Sequence, residues 1–211
     1  MPDILVLYYS RNGAVRALAE WIANGIDAVP GAQARLRTVP PVAAITQTAA
    51  PPVPERGAPY VEKRDLAECI GLACGSPTRF GNMAAPMKYF WDSTGAEWQN
   101  NTLAGKPACV FTSSTSLHGG QESTLLTMMV PLLHHGMLIV GLPYSEPALT
   151  TTMSGGGPYG ASHVASHGAS HGTSAASPAS MAGHAPLSDD EKQLARALGK
   201  RLAQVALKLA A

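Results

Sequence analysis

Three short polar segments carry the residue types that could bind a ligand. They follow apolar, strand-like runs and cover residues 10–15, 76–82 and 113–120. The first begins Ser-Arg-Asn-Gly, and consecutive backbone N–H groups at the start of a helix can hold a phosphate. We therefore predict an anion-binding loop made of Ser10, Arg11, Asn12, Gly13, Ala14 and Val15.

The spacing within this first segment narrows the class of site. It matches neither G-x-G-x-x-G nor G-x-x-x-x-G-K-[ST], which disfavours a Rossmann dinucleotide site and a P-loop NTPase. Gly13 permits a turn that other residues resist, while Ser10 and Asn12 add side-chain donors. An ordinary strand-to-helix turn is the alternative for this segment taken alone.

The second and third segments offer amides and hydroxyls but no carboxylate. A flavin ring needs donors at its oxygen-bearing edge, and neutral donors favour the negative charge that reduction places there. A polar linker is the alternative for either segment alone. Three such segments after successive predicted strands indicate one shared site of the flavin type.

Strand-like and helix-like patterns alternate about five times along the chain. This alternation predicts an α/β fold, a doubly wound five-stranded parallel sheet with helices on both faces. Ligands in such sheets bind beyond the carboxyl ends of the strands, where the polar segments stand. The predicted strands cover residues 3–9, 34–39, 69–74, 108–112 and 137–142.

The helical patterns place apolar side chains on recognisable faces. A second helix is expected from Asn82 onward, with Pro86 in its first turn. The helix over 122–135 is apolar nearly all round, which predicts burial against the core or another subunit, with Gly136 as its cap. The expected buried residues of the first helix are Val15, Leu18, Ile22 and Ile26.

The final helix has the clearest start signal in the chain. Ser188 and Glu191 have the spacing of a capping box, with acidic residues in the first turn where the helix dipole favours them. Its expected buried face consists of Leu194, Leu198, Leu202, Val205 and Leu209.

Two compositionally biased stretches interrupt what we interpret as one domain over residues 1–211. Residues 40–62 are rich in proline and form an irregular excursion, and residues 154–186 are a low-complexity loop of Gly, Ser, Ala and His. His163, His167 and His171 recur every fourth residue, which on a helix could bind a metal. The glycines between them favour a low-complexity repeat, so we predict no metal site.

The composition of the chain limits the kinds of molecule to which the protein can be expected to bind. Of 211 residues, 45% are hydrophobic and only 14% charged, which favours an oligomer, and the net charge of +1 gives no electrostatic case for nucleic acid or a membrane surface. We expect no signal peptide and no membrane span. Cys69, Cys74 and Cys109 are expected to be buried thiols, and such usage predicts a cytoplasmic protein.

The residues also resemble a known family, the WrbA-type NAD(P)H:quinone oxidoreductases. The matching stretches are LVLYYSRNGAV, GSPTRFGNMAAPMKYFWD, GKPACVFTSSTSLHGGQE, PLLHHGMLIVG and PYGAS. The resemblance implies a flavodoxin-like fold, bound FMN and a homotetramer. It also implies two-electron transfer from NADH or NADPH to a quinone; the sequence does not distinguish the two coenzymes.

The same resemblance implies roles for individual residues. Residues 10–15 would hold the FMN phosphate, although Val15 stands where many related loops have a hydroxyl residue. Asn12 would lie near the nicotinamide, Trp98 of another subunit would border the substrate site, and His134 would reach the flavin as the catalytic residue. The ring and its chain would be contacted by Pro77, Thr78, Arg79 and Phe80 on one side and by Ser113, Ser114, Thr115, Ser116, Leu117, His118 and Gly119 on the other.

Alternatives stay open at this point. His134 and His135 could simply cap a helix, where the dipole favours a cation. The chain could instead be a one-electron flavodoxin-type carrier, although no acid-rich face is evident, or a non-catalytic interaction protein. We expect a two-electron enzyme with a ping-pong mechanism.

Overall fold

The computed structural model describes residues 1–42, 57–165 and 185–210. Its strands are β1 Asp3–Tyr8, β2 Gln33–Thr38, β3 Gly71–Arg79, β4 Asn82–Met83, β5 Pro107–Ser114, β6 Leu138–Ile139 and β7 Ala161–Val164. Its helices are α1 Ala14–Asp27, α2 Lys63–Glu68, α3 Ala85–Asp92, α4 Gly95–Gln99, α5 Gln121–His134, α6 Ala148–Thr151 and α7 Asp189–Ala210.

The parallel strands form one twisted sheet in the order β2-β1-β3-β5-β6. The order reverses between β1 and β3, so the carboxyl ends of these two strands flank the switch point at which doubly wound folds bind ligands. The predicted flavodoxin-like fold class is therefore confirmed, and β2 forms one edge of the sheet.

The fifth strand position is filled by two separate segments. β6 pairs with the start of β5 at Pro107 and Ala108, and β7 pairs with its later part from Phe111 to Ser114. The prediction of one strand over 137–142 is correct only for the first segment. The prediction of a loop over 154–186 is wrong for β7, whose four residues are all buried, because a neighbouring strand edge supplies hydrogen bonds that composition does not reveal. Residues 166–184 lie outside the described part.

Helices cover both faces of the sheet, as predicted. α1 and α7 pack on one face against alternate residues such as Ile4, Val6 and Phe111. α2, α3 and α5 pack on the other face against Leu5, Leu7 and their neighbours. The predicted stripe of α1 is buried throughout. The three cysteines are also buried, as expected, and burial raises the pKa of Cys74 to about 12.

The polar segment over 76–82 is not a loop, and the helix predicted from Asn82 begins later. β3 continues through Arg79, the chain turns at Phe80 and Gly81, and β4 returns antiparallel to it. Helix α3 starts at Ala85 with Pro86 in its first turn. The alternation of polar and apolar residues did not reveal this short hairpin because both of its arms are only a few residues long.

The capping box of α7 is confirmed. Ser188 Oγ accepts the Glu191 N–H at 3.2 Å, and Glu191 Oε2 accepts the Ser188 N–H at 2.9 Å. Leu194, Leu198 and Leu202 are fully buried, but Leu209 is exposed because the buried face ends at Ala206.

Two glycines allow α1 and α7 to approach closely. A Cβ added at Gly199 would lie 2.1 Å from the carbonyl oxygen of Ile22, and one added at Gly25 would lie 2.0 Å from that of Arg196. Both obstacles are backbone atoms of a packed helix, so neither can move aside. The close contact between the two helices therefore requires a glycine, which has no side chain, at both positions.

We expect Gly199→Ala to lower the free energy of unfolding by about 2 kcal/mol, because overpacking costs about 1–3 kcal/mol and outweighs the propensity gain of a helical alanine. Gly95→Ala is the matched control, since its Cβ meets nothing within 4 Å. It should leave stability unchanged or raise it by about 0.5 kcal/mol. Urea unfolding measures both variants, and equal effects would contradict this account of the helix contact.

Candidate functional site

The three polar segments meet at one edge of the sheet. β1, β3 and β5 are adjacent and parallel, with Tyr8 opposite Gly75 and Pro77 opposite Ser113. The segments that follow or complete these strands therefore lie side by side at their carboxyl ends. The structure thus brings together the predicted residues 10–15, 77–80 and 113–119.

The first segment has the geometry of an anion cradle. Gly13 precedes α1 with φ +95°, a left-handed conformation that suits glycine. Ser10 Oγ accepts the N–H groups of Gly13 and Arg16 at 3.1 and 3.3 Å. Among the described residues, none accepts the N–H groups of Arg11, Asn12, Ala14 and Val15. These four donors stand at the positive end of a 14-residue helix.

A cavity of about 420 Å³ opens beside this loop. Arg11 and Arg16 line it, and Arg16 also lies 3.6 Å from Glu20 on the exposed side of the helix. Tyr8 lies in its wall, and burial raises the pKa of this phenol. Tyr8, Arg16 and Thr38 also line the cavity and were not predicted from the sequence, although a basic residue in the first turn of a helix that should bind an anion was a usable signal.

The second segment presents an exposed aromatic side chain at the tip of a tight hairpin. Phe80 has φ +52° and is fully exposed, which is unusual for a bulky residue. Gly81 beside it also has positive φ, as the two-residue turn requires. Arg79 donates from Nη1 to the carbonyl of Thr78 at 2.7 Å, and Pro77 is buried. A strained, exposed phenylalanine at this edge suits contact with a flat ligand or a second subunit.

The third segment combines a buried base with an exposed tip. Ser113 and Ser114 are buried, whereas residues 115–118 are exposed and His118 has φ +55°. Ser116 anchors the turn, because its carbonyl accepts Ser114 Oγ at 2.8 Å and Gln121 Nε2 at 2.9 Å.

A hydroxyl pair links the second segment to helix α5, which directly follows the third segment. Thr124 Oγ1 in the first turn of α5 donates to Thr78 Oγ1 at 2.7 Å. The two sides of the site are thereby held in a fixed relation.

His134 and Trp98 lie away from the edge of the sheet where the three polar segments meet. The rings stack on each other with centroids 5.6 Å apart and planes inclined by 24°. α5 begins beside the third segment, and a helix of this length spans about 20 Å, so its last residue His134 lies at the opposite, amino edge of the sheet. The Leu138 N–H bonds to the Lys106 carbonyl there. Within one chain, neither residue joins the other predicted site residues.

His135, not His134, is tied into the fold at the end of α5. Its Nε2 lies 2.9 Å from Thr94 Oγ1, and burial, with the neighbouring His134 second, lowers the pKa of His135. Gly136 caps the helix as expected, with φ +77° and its N–H bonded to Leu133. The exposed His134 is therefore left available for a contact outside its own helix.

His163 does not lie in a loop. It is buried in β7, and its Nδ1 lies 2.8 Å from Glu191 Oε2, so the prediction of a loop is wrong for this residue. His167 and His171 lie outside the described residues. Within the described ranges, no three His, Cys, Asp or Glu side chains are placed to hold a metal ion.

None of the described helices combines the length and the apolar composition that a bilayer-spanning segment needs.

Three sets of similarities identify the chain. Residues 2–146 match the family described as NADPH-dependent FMN reductase. Proteins named NAD(P)H dehydrogenase (quinone) from Chromohalobacter salexigens and Geobacter sulfurreducens are 42% and 41% identical to it, covering 100% and 98% of both chains. The crystal structure of a flavodoxin, WrbA-like protein from Agrobacterium tumefaciens has the same fold, with a TM-score of 0.65 at 20% identity over 99% of each chain.

The family match covers β1 to the segment after β6 and so includes all three polar segments at the sheet edge. The similarity to the two relatives extends over essentially the whole chain. The resemblance read from the sequence is confirmed, and the chain belongs to the NADPH-dependent FMN reductase family.

Proposed function

We propose that the protein is an FMN-dependent NAD(P)H:quinone oxidoreductase that transfers two electrons in a ping-pong mechanism. The observation that carries the proposal is the anion cradle beside two polar walls that contain no carboxylate. The names of the full-length relatives supply the reaction type.

The cradle fits the phosphate of FMN. The N–H groups of Arg11, Asn12, Ala14 and Val15, which no described residue accepts, provide donors at a helix N-terminus, and the two arginines of the adjoining cavity add positive charge. The valine at position 15 does not weaken this fit, because its backbone N–H remains available. Residues 10–15 would hold the phosphate without any acidic neighbour among the described lining residues.

The two remaining segments would enclose the flavin ring. Thr78, Arg79 and Phe80 form one side, and the exposed turn from Thr115 to Gly119 forms the other. When bound, FMN supplies the redox chemistry, since its ring accepts two electrons from a nicotinamide and passes them to a quinone. The chain contributes backbone donors that stabilise negative charge at the ring edge and surfaces that align two flat reactants.

A second subunit would complete the substrate site. His134 and Trp98 lie about one helix length from their own chain's flavin segments, so we propose that another copy supplies them. Helix α5 itself carries an exposed apolar stripe leading to His134, with Val130 and Leu133 each more than half exposed. A stripe of this kind, in a chain with few charges, suits a subunit contact, and we propose the homotetramer that the sequence resemblance implies.

Asn12 would contact the nicotinamide from the edge of the cradle, and His134 would assist substrate binding or proton delivery. The three buried cysteine thiols favour a reducing compartment, which supports a cytoplasmic location.

Initial-rate kinetics test the ping-pong mechanism. With NADH or NADPH varied at several fixed benzoquinone concentrations, we expect parallel double-reciprocal lines, because both substrates use the same position above the ring in turn. Intersecting lines would indicate a ternary complex and would contradict the mechanism. Absence of turnover with either coenzyme would contradict the proposed activity itself.

A further inference from the structure

A single buried carboxylate joins three segments next to the third polar segment. Glu191 in the first turn of α7 is 1% exposed. Its Oε1 accepts the N–H groups of Gly155 and Val164 at 2.9 and 3.3 Å. Its Oε2 accepts the Ser188 N–H at 2.9 Å and faces His163 Nδ1 at 2.8 Å.

These four contacts use the full acceptor capacity of the carboxylate. His163 must therefore carry its proton on Nδ1, because a lone pair there would face a lone pair of Glu191. Burial on its own would raise the pKa of Glu191, but the hydrogen bonds from His163, Ser188 and Gly155 outweigh it and hold that pKa below its usual value. The carboxylate is thus an ionised clamp between β7, the 154–157 segment and α7.

The clamp is attached directly to the wall of the proposed flavin site. His163 is the register partner of Ser113, and the Ala165 N–H bonds to the Ser114 carbonyl at 2.9 Å. Ser114 in turn holds the Ser116 carbonyl, which anchors the exposed turn. A continuous set of hydrogen bonds therefore runs from Glu191 to the residues that would face the ring.

We propose that Glu191 and His163 are positioning residues that hold the segment Ser113–Gly119 in the conformation needed to bind FMN. The proposal rests on the proposed function for the identity of the ligand. Neither side chain would touch the flavin ring. Both act on the segment through β7 and the backbone hydrogen bonds that pair β7 with β5. A capping box that served α7 alone would need only the two Ser188 contacts, whereas this carboxylate also binds β7 and Gly155.

The structure offers a matched control for a purely structural role. Asp65 is also 1% exposed, also belongs to a capping box and also binds several donors, among them Arg35 at 3.2 Å and Arg37 at 3.1 Å. It lies in α2 at the β2 edge of the sheet, away from the third polar segment. Asp65→Asn therefore removes a buried carboxylate of similar kind without touching the clamp.

The first experiment compares FMN affinity in Glu191→Gln, His163→Leu, His163→Asn and Asp65→Asn. Glu191→Gln and His163→Leu each remove a charge-assisted hydrogen bond. If the lost free energy falls entirely on FMN binding, the FMN Kd should rise by roughly tenfold or more in both variants. His163→Asn keeps a donor near the Nδ1 position and should bind FMN within about threefold of the wild type. Asp65→Asn should lower the melting temperature while leaving the Kd unchanged.

The second experiment needs no flavin. Hydrogen exchange in the protein without added FMN should become faster for the amides of 113–119 in Glu191→Gln but not in Asp65→Asn. Unchanged exchange and unchanged FMN affinity in Glu191→Gln would overturn the proposal, as would equal losses in Glu191→Gln and Asp65→Asn. If the wild type binds no FMN, the proposed function fails, and the exchange comparison still decides whether the clamp holds the segment.

Discussion

Asn12→Asp should abolish FMN binding at ordinary flavin concentrations while leaving the fold intact. The substitution places a negative charge in the cradle at nearly constant size. Two unit charges about 4 Å apart near a protein surface interact by about 4 kcal/mol, so the FMN Kd should rise at least roughly 100-fold. Fluorescence quenching of free FMN measures this change directly.

The same substitution should not destabilise the protein without flavin. An acidic residue before a helix interacts favourably with the helix dipole by about 0.3–1 kcal/mol, so its melting temperature should stay constant or rise. Asn24→Asp is the matched control, because Asn24 is an exposed asparagine of α1, about 15 Å beyond the start of that helix. Equal FMN affinity in the two variants would show that residues 10–15 are not the phosphate site.

Trp98→Ala should leave FMN bound and impair quinone reduction. In its own chain Trp98 lies far from the three polar segments, so the flavin contacts made by that chain are untouched. Truncating an aromatic anchor at a binding surface costs about 2 kcal/mol, which corresponds to roughly a 30-fold fall in kcat/KM for the quinone. Because Trp98 stacks on His134, His134→Ala should have an effect of the same sign.

Subunit mixing separates a shared site from a site within one chain. Asn12→Asp subunits would lack FMN but retain Trp98, and Trp98→Ala subunits would retain FMN. If different chains supply the two parts, a mixture of the variants allowed to exchange subunits should gain activity beyond the sum of its components. A strictly additive mixture, with light scattering showing exchanged oligomers, would contradict the shared site.

The sequence was sufficient for the fold and for the position of the three polar segments. The continuous apolar run from Ile4 to Tyr8 and the stripe from Val15 to Ile26 are strong local patterns, and alternation of such units leaves few possible topologies. The capping box at Ser188 was equally clear, since both partners lie within one turn.

What the sequence did not reveal depends on contacts distant along the chain. β7 is four residues long and sits in a region of biased composition, so only its pairing with β5 defines it as a strand. Glu191 was recognised as a helix cap, but its bond to His163 spans 28 residues and has no local signal. Likewise, no local pattern shows that α5 carries His134 to the edge of the sheet opposite the cradle.

The absorbance spectrum of the purified protein with FMN decides whether the protein is a nicotinamide-dependent quinone reductase. We expect a bound-flavin spectrum that bleaches in one step with NADH or NADPH under anaerobic conditions and returns when benzoquinone is added. Failure to bind FMN, or bleaching by dithionite alone, would contradict a nicotinamide-dependent quinone reductase. A stable semiquinone during the titration would instead indicate a one-electron carrier.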